Sequence, residues 1–533
     1  MLLSRWTAAA GVFLASFLLI AATVDDYGIA WDEPAYFHAA DLHIAWIAAF
    51  ARNVARGEPR LSLNDQAIRD AWRWNPYHVP HPPFSRIISG FTRTLTSRWL
   101  DKFTGYRLAP ALFFAALVTV MFLWMAELFG KPTAWFSALS LIAVPNLFGF
   151  AHIAVTDLPL ASLWFLTTFC FWKGLNDWRW SVACGILWGL ALATKFPALL
   201  IPVPLLFWAH IFHRKSYANN VFALLFIAPS VMVATQPYLW HQTGLHLLEF
   251  LYEGLSRGYR PETNFPIYFF GQHLYTHQLP WYYPFFLVGV TTPEPLLLLA
   301  LVAIGSLPWL QLQRATMTLF LINLLFVLLL GLLPGAVLHD GMRQLLAALP
   351  FIAALAGGGF CLITRRLWTF AAPSEKLRNV CNLRSKLIGT VGLLALFPAL
   401  LELYLIHPFQ LSFYNRLVGG IRGAYEKGLE ATYFMEAMTP DFLTTLNTRL
   451  PLNARLNGFF ANFMLRYYQQ ENRLRHDIEI TDGSSFDYYL LLNRRSILLA
   501  RNLSLPKKDL RPFLSVQIAT VPLVSVFKFA PPS

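Results

Sequence analysis

The side chains best suited to chemistry are an adjacent carboxylate pair and a set of ionisable residues far from it in the chain. Asp32 and Glu33 stand in "WDEPAY", His81 and Arg86 in "HPPFSR", Asp157 in "AVTDLPL" and Lys195 in "GLALATK". His339, Asp340 and Arg343 follow in "HDGMRQ". Two neighbouring carboxylates splay apart and cannot flank one glycosidic bond as a hydrolase requires. One base beside several cations suits a different chemistry, in which the base takes a proton from an acceptor while the cations hold an anionic leaving group such as phosphate. Plainer roles compete. Pro34 favours a first helical turn, so Asp32 or Glu33 can be a helix cap, and long cationic side chains near a membrane snorkel. Asp32, Glu33, Asp157 and His81 also offer oxygen and nitrogen to a divalent metal, although no fixed ligand spacing supports one.

The elements that must position these residues are apolar. The chain has 533 residues, 56% hydrophobic and 13% charged, with a mean hydropathy of +0.47. Runs long enough to cross a bilayer recur, and this excludes an ordinary soluble enzyme. Spans are expected near Ala8–Val24, Leu108–Phe129, Trp135–Phe150, Leu158–Trp172, Val182–Thr194 and Phe196–Phe212. Others are expected near Asn220–Gln236, Pro284–Leu310, Met317–Pro334, Leu345–Ile363 and Leu387–Ile406. That makes a polytopic α-helical protein of about 11 transmembrane helices. The first run lacks a clear cleavage site and reads as an uncleaved anchor with the N-terminus inside.

Alternation from an inside N-terminus puts the loops Gly130–Pro132, Lys173–Trp180, His213–Ser216, Gln311–Arg314 and Thr364–Lys386 inside, each carrying Lys or Arg. That satisfies the positive-inside rule. The first outer loop, 25–107, then holds the helix that begins at Pro34. Tyr36, Phe37, Ala40, Ile44, Ile47 and Ala48 form its apolar face, with His38 and Asp41 opposite, as in a helix lying on the membrane surface. All the chemical candidates fall at the same outer depth. The net charge of +13 sits in loops between spans. Membrane lipid headgroups and the phosphate of a lipid-linked substrate fit it better than nucleic acid does. Cys170, Cys184, Cys361 and Cys381 have neither CxxC spacing nor a His cluster, and their inside placement argues against a disulfide. From His407 to Ser533 helical and extended patterns alternate, as in a small α/β domain outside the membrane.

In this order, "WDEPAY", "HPPFSR", "AVTDLPL", "GLALATK", "HDGMRQ" and "HPFQLSFYNRLVGG" resemble bacterial membrane glycosyltransferases of the GT-C class. The likeness is to the family 39 group, related to protein O-mannosyltransferases and lipid A aminoarabinose transferases, and covers about Met1 to Gly423. It implies a transmembrane catalytic domain over 1–406, a polyprenyl-phosphate-linked sugar as donor and inversion at the anomeric carbon. It implies that Asp32 activates the acceptor with Glu33 beside it, and that Asp157 is a second essential acid. His81, Arg86 and Lys195 would lie at the donor phosphate. Asp340 and Arg343 match a "DG-x-R" element to which the resemblance attaches no role. "TKFP" departs from the commoner small residue after the lysine, and the tail diverges. The implied setting is a bacterial inner membrane, with the 407–533 domain periplasmic. The acceptor, whether protein, lipid or glycan, stays open.

A transporter or flippase of polyprenyl-linked glycans is the main alternative. Transporters place charged sites near the bilayer midplane, often in repeats. Here the acids sit at outer span ends and no repeat is visible. A receptor or assembly factor has only the tail in its favour. The topology is testable in intact cells with a membrane-impermeant thiol reagent: Ser484→Cys labels and Ser374→Cys does not. The reverse pattern would put the candidate site on the wrong side.

Overall fold

The computed structural model describes residues 2–73, 81–260, 265–311, 313–371, 381–500 and 511–529; Ser374 lies outside them. Among the described residues, four helical segments are long and apolar enough to cross a bilayer alone: Trp6–Asp26, Lys102–Phe129, Gly341–Phe370 and Arg384–Leu405. Phe196–Phe212, Ala218–Ala234, Glu294–Gly305 and Arg314–Leu330 are shorter apolar helices. Each expected span contains helix, but prolines break two of them. Trp135–Phe150 splits into Lys131–Ile142 and Pro145–Phe150, with Val144 extended between them. Pro284–Leu310 splits into Tyr283–Thr291 and Glu294–Gly305, with Thr292 extended before Pro293. The cause is the same in both places: a proline ring clashes with a helical conformation of the residue before it.

The segment Gly341–Phe370 is buried almost throughout, whereas Arg384–Leu405 is exposed along most of its length. The first is the centre of the bundle. The second is its rim, where Leu393, Leu394 and Tyr404 face outward, as suits lipid contact. Lys102–Phe129 packs against Leu2–Thr23, Phe84–Thr96, Lys131–Ile142 and Asp157–Gly174. The helix Glu33–Ala55 buries Tyr36, Phe37, Ala40, His43 and Trp46 and leaves His38 and Asp41 exposed. Its apolar side meets the protein, chiefly Phe84–Thr96.

Two sheets lie outside the bundle helices in the described residues. β1 (Ile267–Phe269) and β2 (Gln272–Leu274) form an antiparallel hairpin. Toward the C-terminus, β3 (Arg455–Asn457), β4 (Glu479–Ile480), β5 (Tyr488–Leu492), β6 (Leu514–Ile518) and β7 (Val521–Lys528) form a mixed sheet in the order β4-β3-β5-β7-β6. β3 pairs in parallel with β4 and β5; β7 is antiparallel to β5 and β6. Helices Pro440–Arg449 and Asn462–Gln470 accompany it.

The chain between bundle and sheet holds the start of the Glu33–Ala55 helix. Gly28 N–H donates to the Glu436 carbonyl at 3.1 Å and Trp31 N–H to the Phe434 carbonyl at 2.8 Å. Ile29 N–H donates to the Tyr468 hydroxyl at 2.7 Å. A Cβ at position 28 would stand 2.5 Å from the Glu436 carbonyl oxygen, so only glycine permits this approach. Gly28→Ala should therefore lower the thermal melting temperature, by overpacking of about 1–3 kcal/mol. An unchanged melt would mean that the two segments part freely.

Candidate active site

Asp32 occupies the N-cap position of the Glu33–Ala55 helix, yet its side chain accepts no capping hydrogen bond. It turns instead to the Arg343 guanidinium and accepts from its Nη2. Glu33 turns the other way. Its Oε1 accepts from Arg107 Nε at 2.8 Å and Ala154 N–H at 2.9 Å. Its Oε2 accepts from Arg107 Nη2 at 2.6 Å and Ala30 N–H at 2.8 Å. The remaining Arg107 donors reach the carbonyls of Val24, Tyr27 and Gly28 at 3.2, 3.0 and 2.7 Å. Glu33 is thus a fully buried anchor of the turn that carries Asp32, with no free face for a substrate.

Asp157 opens its helix directly after the short loop that follows Pro145–Phe150. Its Oδ1 accepts from Lys195 Nζ at 2.5 Å and its Oδ2 from Arg343 Nε at 3.1 Å. Lys195 stands just past the end of Trp178–Leu192 and also donates to Gln344 Oε1 at 3.0 Å. Asp340 has a left-handed backbone, φ 67°. Its Oδ2 accepts from Arg343 Nη1 at 3.2 Å and its Oδ1 from Arg494 Nη2 at 2.6 Å. Every nitrogen of the Arg343 guanidinium therefore faces a different carboxylate. The Arg343 guanidinium also lies over the Phe434 ring, 5.1 Å from its centre.

His81 and Arg86 sit beside this cluster. The His81 ring lies parallel to Tyr36 at 6.4 Å, and Arg86 lies over the same tyrosine at 5.7 Å. Arg86 Nη2 donates to the His81 carbonyl at 2.6 Å, and Arg257 Nη1 reaches His81 Nε2 at 3.3 Å. Burial and then the Arg257 charge hold the His81 imidazole well below its ordinary 6.5. Asp340 is held at about 2: burial opposes this, but His339, Arg494 and Arg343 together outweigh it.

The structure thus brings Asp32, Asp157, Lys195, Asp340 and Arg343 into one ion-paired cluster, sets His81 and Arg86 at its edge, and turns Glu33 away. Sequence reading missed Arg107, Arg257, Gln344 and Arg494. Arg107 sits at the mouth of a span and is visible as an intramembrane charge; nothing local marks Arg494. Among the described residues, no group of three or more His, Cys, Asp or Glu side chains is placed to hold a metal. The carboxylates Asp32, Asp157 and Asp340 are engaged by guanidinium and ammonium groups instead, so this donor set does not fit a divalent ion.

Asp157, Lys195, Arg343 and Gln344 line a small cavity of about 30 Å³, walled by Leu160, Trp164, Val327 and Leu330. A cleft of about 780 Å³ opens nearby, between Tyr259, Trp281 and the segment Gly331–Leu338 that leads into His339 and Asp340. With Arg86 and Arg257 beside the paired ions, cations outnumber carboxylates, and the arrangement adds one accessible carboxylate and apolar walls.

Residues 80–241 match the family model of dolichyl-phosphate-mannose-protein mannosyltransferases. That segment holds His81, Arg86, Asp157 and Lys195. No curated protein matches the chain. Among solved structures, the fold is similar to ArnT from Cupriavidus metallidurans. In the undecaprenyl phosphate-bound form the TM-score is 0.52 at 15% identity, with 98% of each chain covered. In the apo form it is 0.53 at 14%, with the same coverage. The oligosaccharyltransferase of Archaeoglobus fulgidus, tethered with an acceptor peptide, gives a TM-score of 0.46 at 12% identity, covering 90% of this chain and 64% of its own. The likeness to ArnT is one of fold, and the family-model match covers the part of the chain that carries four of the motif residues.

A consequence of the buried His81 is measurable. Its folded-state pKa lies below the unfolded one, so the unfolded chain binds more protons as pH falls, and stability drops below about pH 6.5. Between pH 7 and 5, His81→Asn should flatten the decline in stability by up to about 1.4 kcal/mol per pH unit, the share of one proton. Equal slopes in thermal melts of the two proteins would show that His81 titrates as it does in water.

Proposed function

We propose that this chain, a GT-C-class membrane protein related to protein mannosyltransferases and ArnT, moves a sugar from a polyprenyl-phosphate-linked donor to an acceptor. The observation that carries this reading is the Arg343 cluster. Its cations are fixed in place, and of its three carboxylates only Asp32 is substantially accessible, with 26% side-chain exposure against 10% for Asp340 and 0% for Asp157. A substrate can reach Asp32 while Asp157 and Asp340 hold the cations.

In the proposed reaction Asp32 takes the proton from an acceptor hydroxyl or amine. The freed lone pair attacks the anomeric carbon and the bond from that carbon to the phosphate oxygen breaks. The lipid phosphate leaves with the bonding electrons. Phosphate is a good leaving group when its charge is matched, so no general acid is needed. Lys195 and Arg343, with Arg86 nearby, supply that match from a site already oriented before the reaction begins, and the neutral His81 ring offers a hydrogen bond rather than charge. Asp340 and Asp157 act by holding Arg343 and Lys195, and Glu33 by holding the turn. Supporting this assignment, the undecaprenyl phosphate-bound ArnT shares the fold.

The finer picture is part of the same proposal. Residues 1–406 form a catalytic body with about 11 crossings, 25–107 the first outer loop, and 407–533 a domain on the outer face of a bacterial inner membrane. The transferred group is a hexose or pentose and its acceptor a protein, a lipid or a glycan. The cleft between Trp281 and Leu338, whose chain runs on into His339 and Asp340, offers space for such an acceptor.

Mass analysis of glycolipids and glycoproteins, in cells with and without the protein, identifies the missing sugar and its acceptor. Restoration by variants then tests the roles. Asp32→Asn should express and melt like the wild type but transfer about 10²-fold or more slowly, as expected for loss of a general base. Glu33→Gln should instead melt early, since breaking a buried ion pair costs about 3–5 kcal/mol. Full restoration by Asp32→Asn would sink the base assignment.

A further inference from the structure

We propose that Arg494, which follows β5 in the C-terminal sheet, is a positioning residue that sets the orientation of Arg343 through Asp340. The proposal rests on the transferase reading above and gives the C-terminal sheet a part in it.

Arg494 is buried and its guanidinium bridges two segments. Nη1 donates to the Tyr433 carbonyl and Nη2 to Asp340 Oδ1, both at 2.6 Å. Asp340 Oδ2 faces Arg343 Nη1 at 3.2 Å. Asp340 is therefore a carboxylate shared between two arginines, one from the boundary of the bundle and one from the sheet. Its left-handed backbone, and the Tyr433 ring 2.9 Å from where a Cβ on Gly341 would stand, leave little room for the main chain to follow a displaced side chain. The base of Arg494 is equally fixed. Asn493 N–H donates to the Leu523 carbonyl at 2.9 Å and its Nδ2 to the Pro522 carbonyl at 2.6 Å, tying this stretch to β7. On the other side, Arg495 N–H and Ser496 N–H donate to Glu430 at 2.6 and 2.9 Å. The Arg495 guanidinium lies 3.5 Å from the centre of the Tyr425 ring.

Charge balance leads to the same conclusion. Asp32, Asp157 and Asp340 are paired with Lys195, Arg343 and Arg494. Without Arg494, Asp340 keeps only Arg343, at 3.2 Å, and the His339 ring, at 3.4 Å from its Oδ2. Asp340 would draw Arg343 toward itself, and Arg343 would loosen its hold on Asp32 and Asp157. The effect would pass to any phosphate bound by Arg343 and Lys195.

The test uses the full chain in nanodiscs with undecaprenyl phosphate as the probe, measuring dissociation constants and thermal melts. R494Q breaks a buried pair and should melt earlier; measured well below that melt, it should still weaken binding by about tenfold, the size of a coupling between groups in one network. R494K should recover most of the loss, because an ammonium keeps the charge on Asp340. R494Q combined with D340N should bind no worse than D340N alone, since both remove the same link. Wild-type binding by R494Q would overturn the proposal. So would losses that multiply in the double variant, or losses in R494Q and R494K that merely follow early melting. Failure of the unmutated protein to bind the probe would instead sink the phosphate-donor reading, and this proposal with it.

Discussion

The guanidinium of Arg343 is planar, cannot shed its charge, and presents its donors in a fixed fork. Three carboxylates are arranged around that fork, contributed by the turn before Pro34, the start of Asp157–Gly174 and the chain before Gly341. In a medium poor in water each of these charges alone would be costly. Together they satisfy one another, and the geometry that satisfies them also fixes where the segments must stand. Arg107 and Glu33 repeat the device a short way off, but that pair is sealed. The first cluster retains a carboxylate that solvent reaches; the second retains none. This difference separates a site from an anchor, even though Asp32 and Glu33 are neighbours in sequence.

The helices serve this arrangement by ending at the right depth. Asp157 begins a helix, Lys195 follows one, and Asp340 precedes the most deeply buried one. Breaks before Pro145 and Pro293 divide two of the expected crossings into pairs of shorter helices. Non-helical backbone at such positions is tolerated where protein rather than lipid surrounds it, and Val144 and Thr292 are both buried.

Much of this was legible in the primary structure. Long apolar runs marked the helices, and the ionisable residues at their ends marked the cluster, because such residues are too costly to retain without partners. The split fates of Asp32 and Glu33 were not legible: a helical turn decides which way each side chain points, and the partner that claims Glu33, Arg107, lies 74 positions away. The breaks could have been inferred from Pro145 and Pro293, but continuous hydropathy masked them. Arg494 was invisible for a different reason. Its neighbours "LLNRRS" resemble any strand end, and only the three-dimensional path of the sheet brings it to Asp340.

The contacts of Gly28 and Trp31 with the chain at Phe434 and Glu436 bear on biosynthesis. The turn that presents Asp32 is made among the first residues, yet the backbone that pins it arrives near the other end of the chain. A nascent chain can thus place its helices one after another while the pocket is still open on one side. Synthesis to the last apolar helix yields a body without a finished centre, and a truncation beyond that helix but before Phe434 would leave it so.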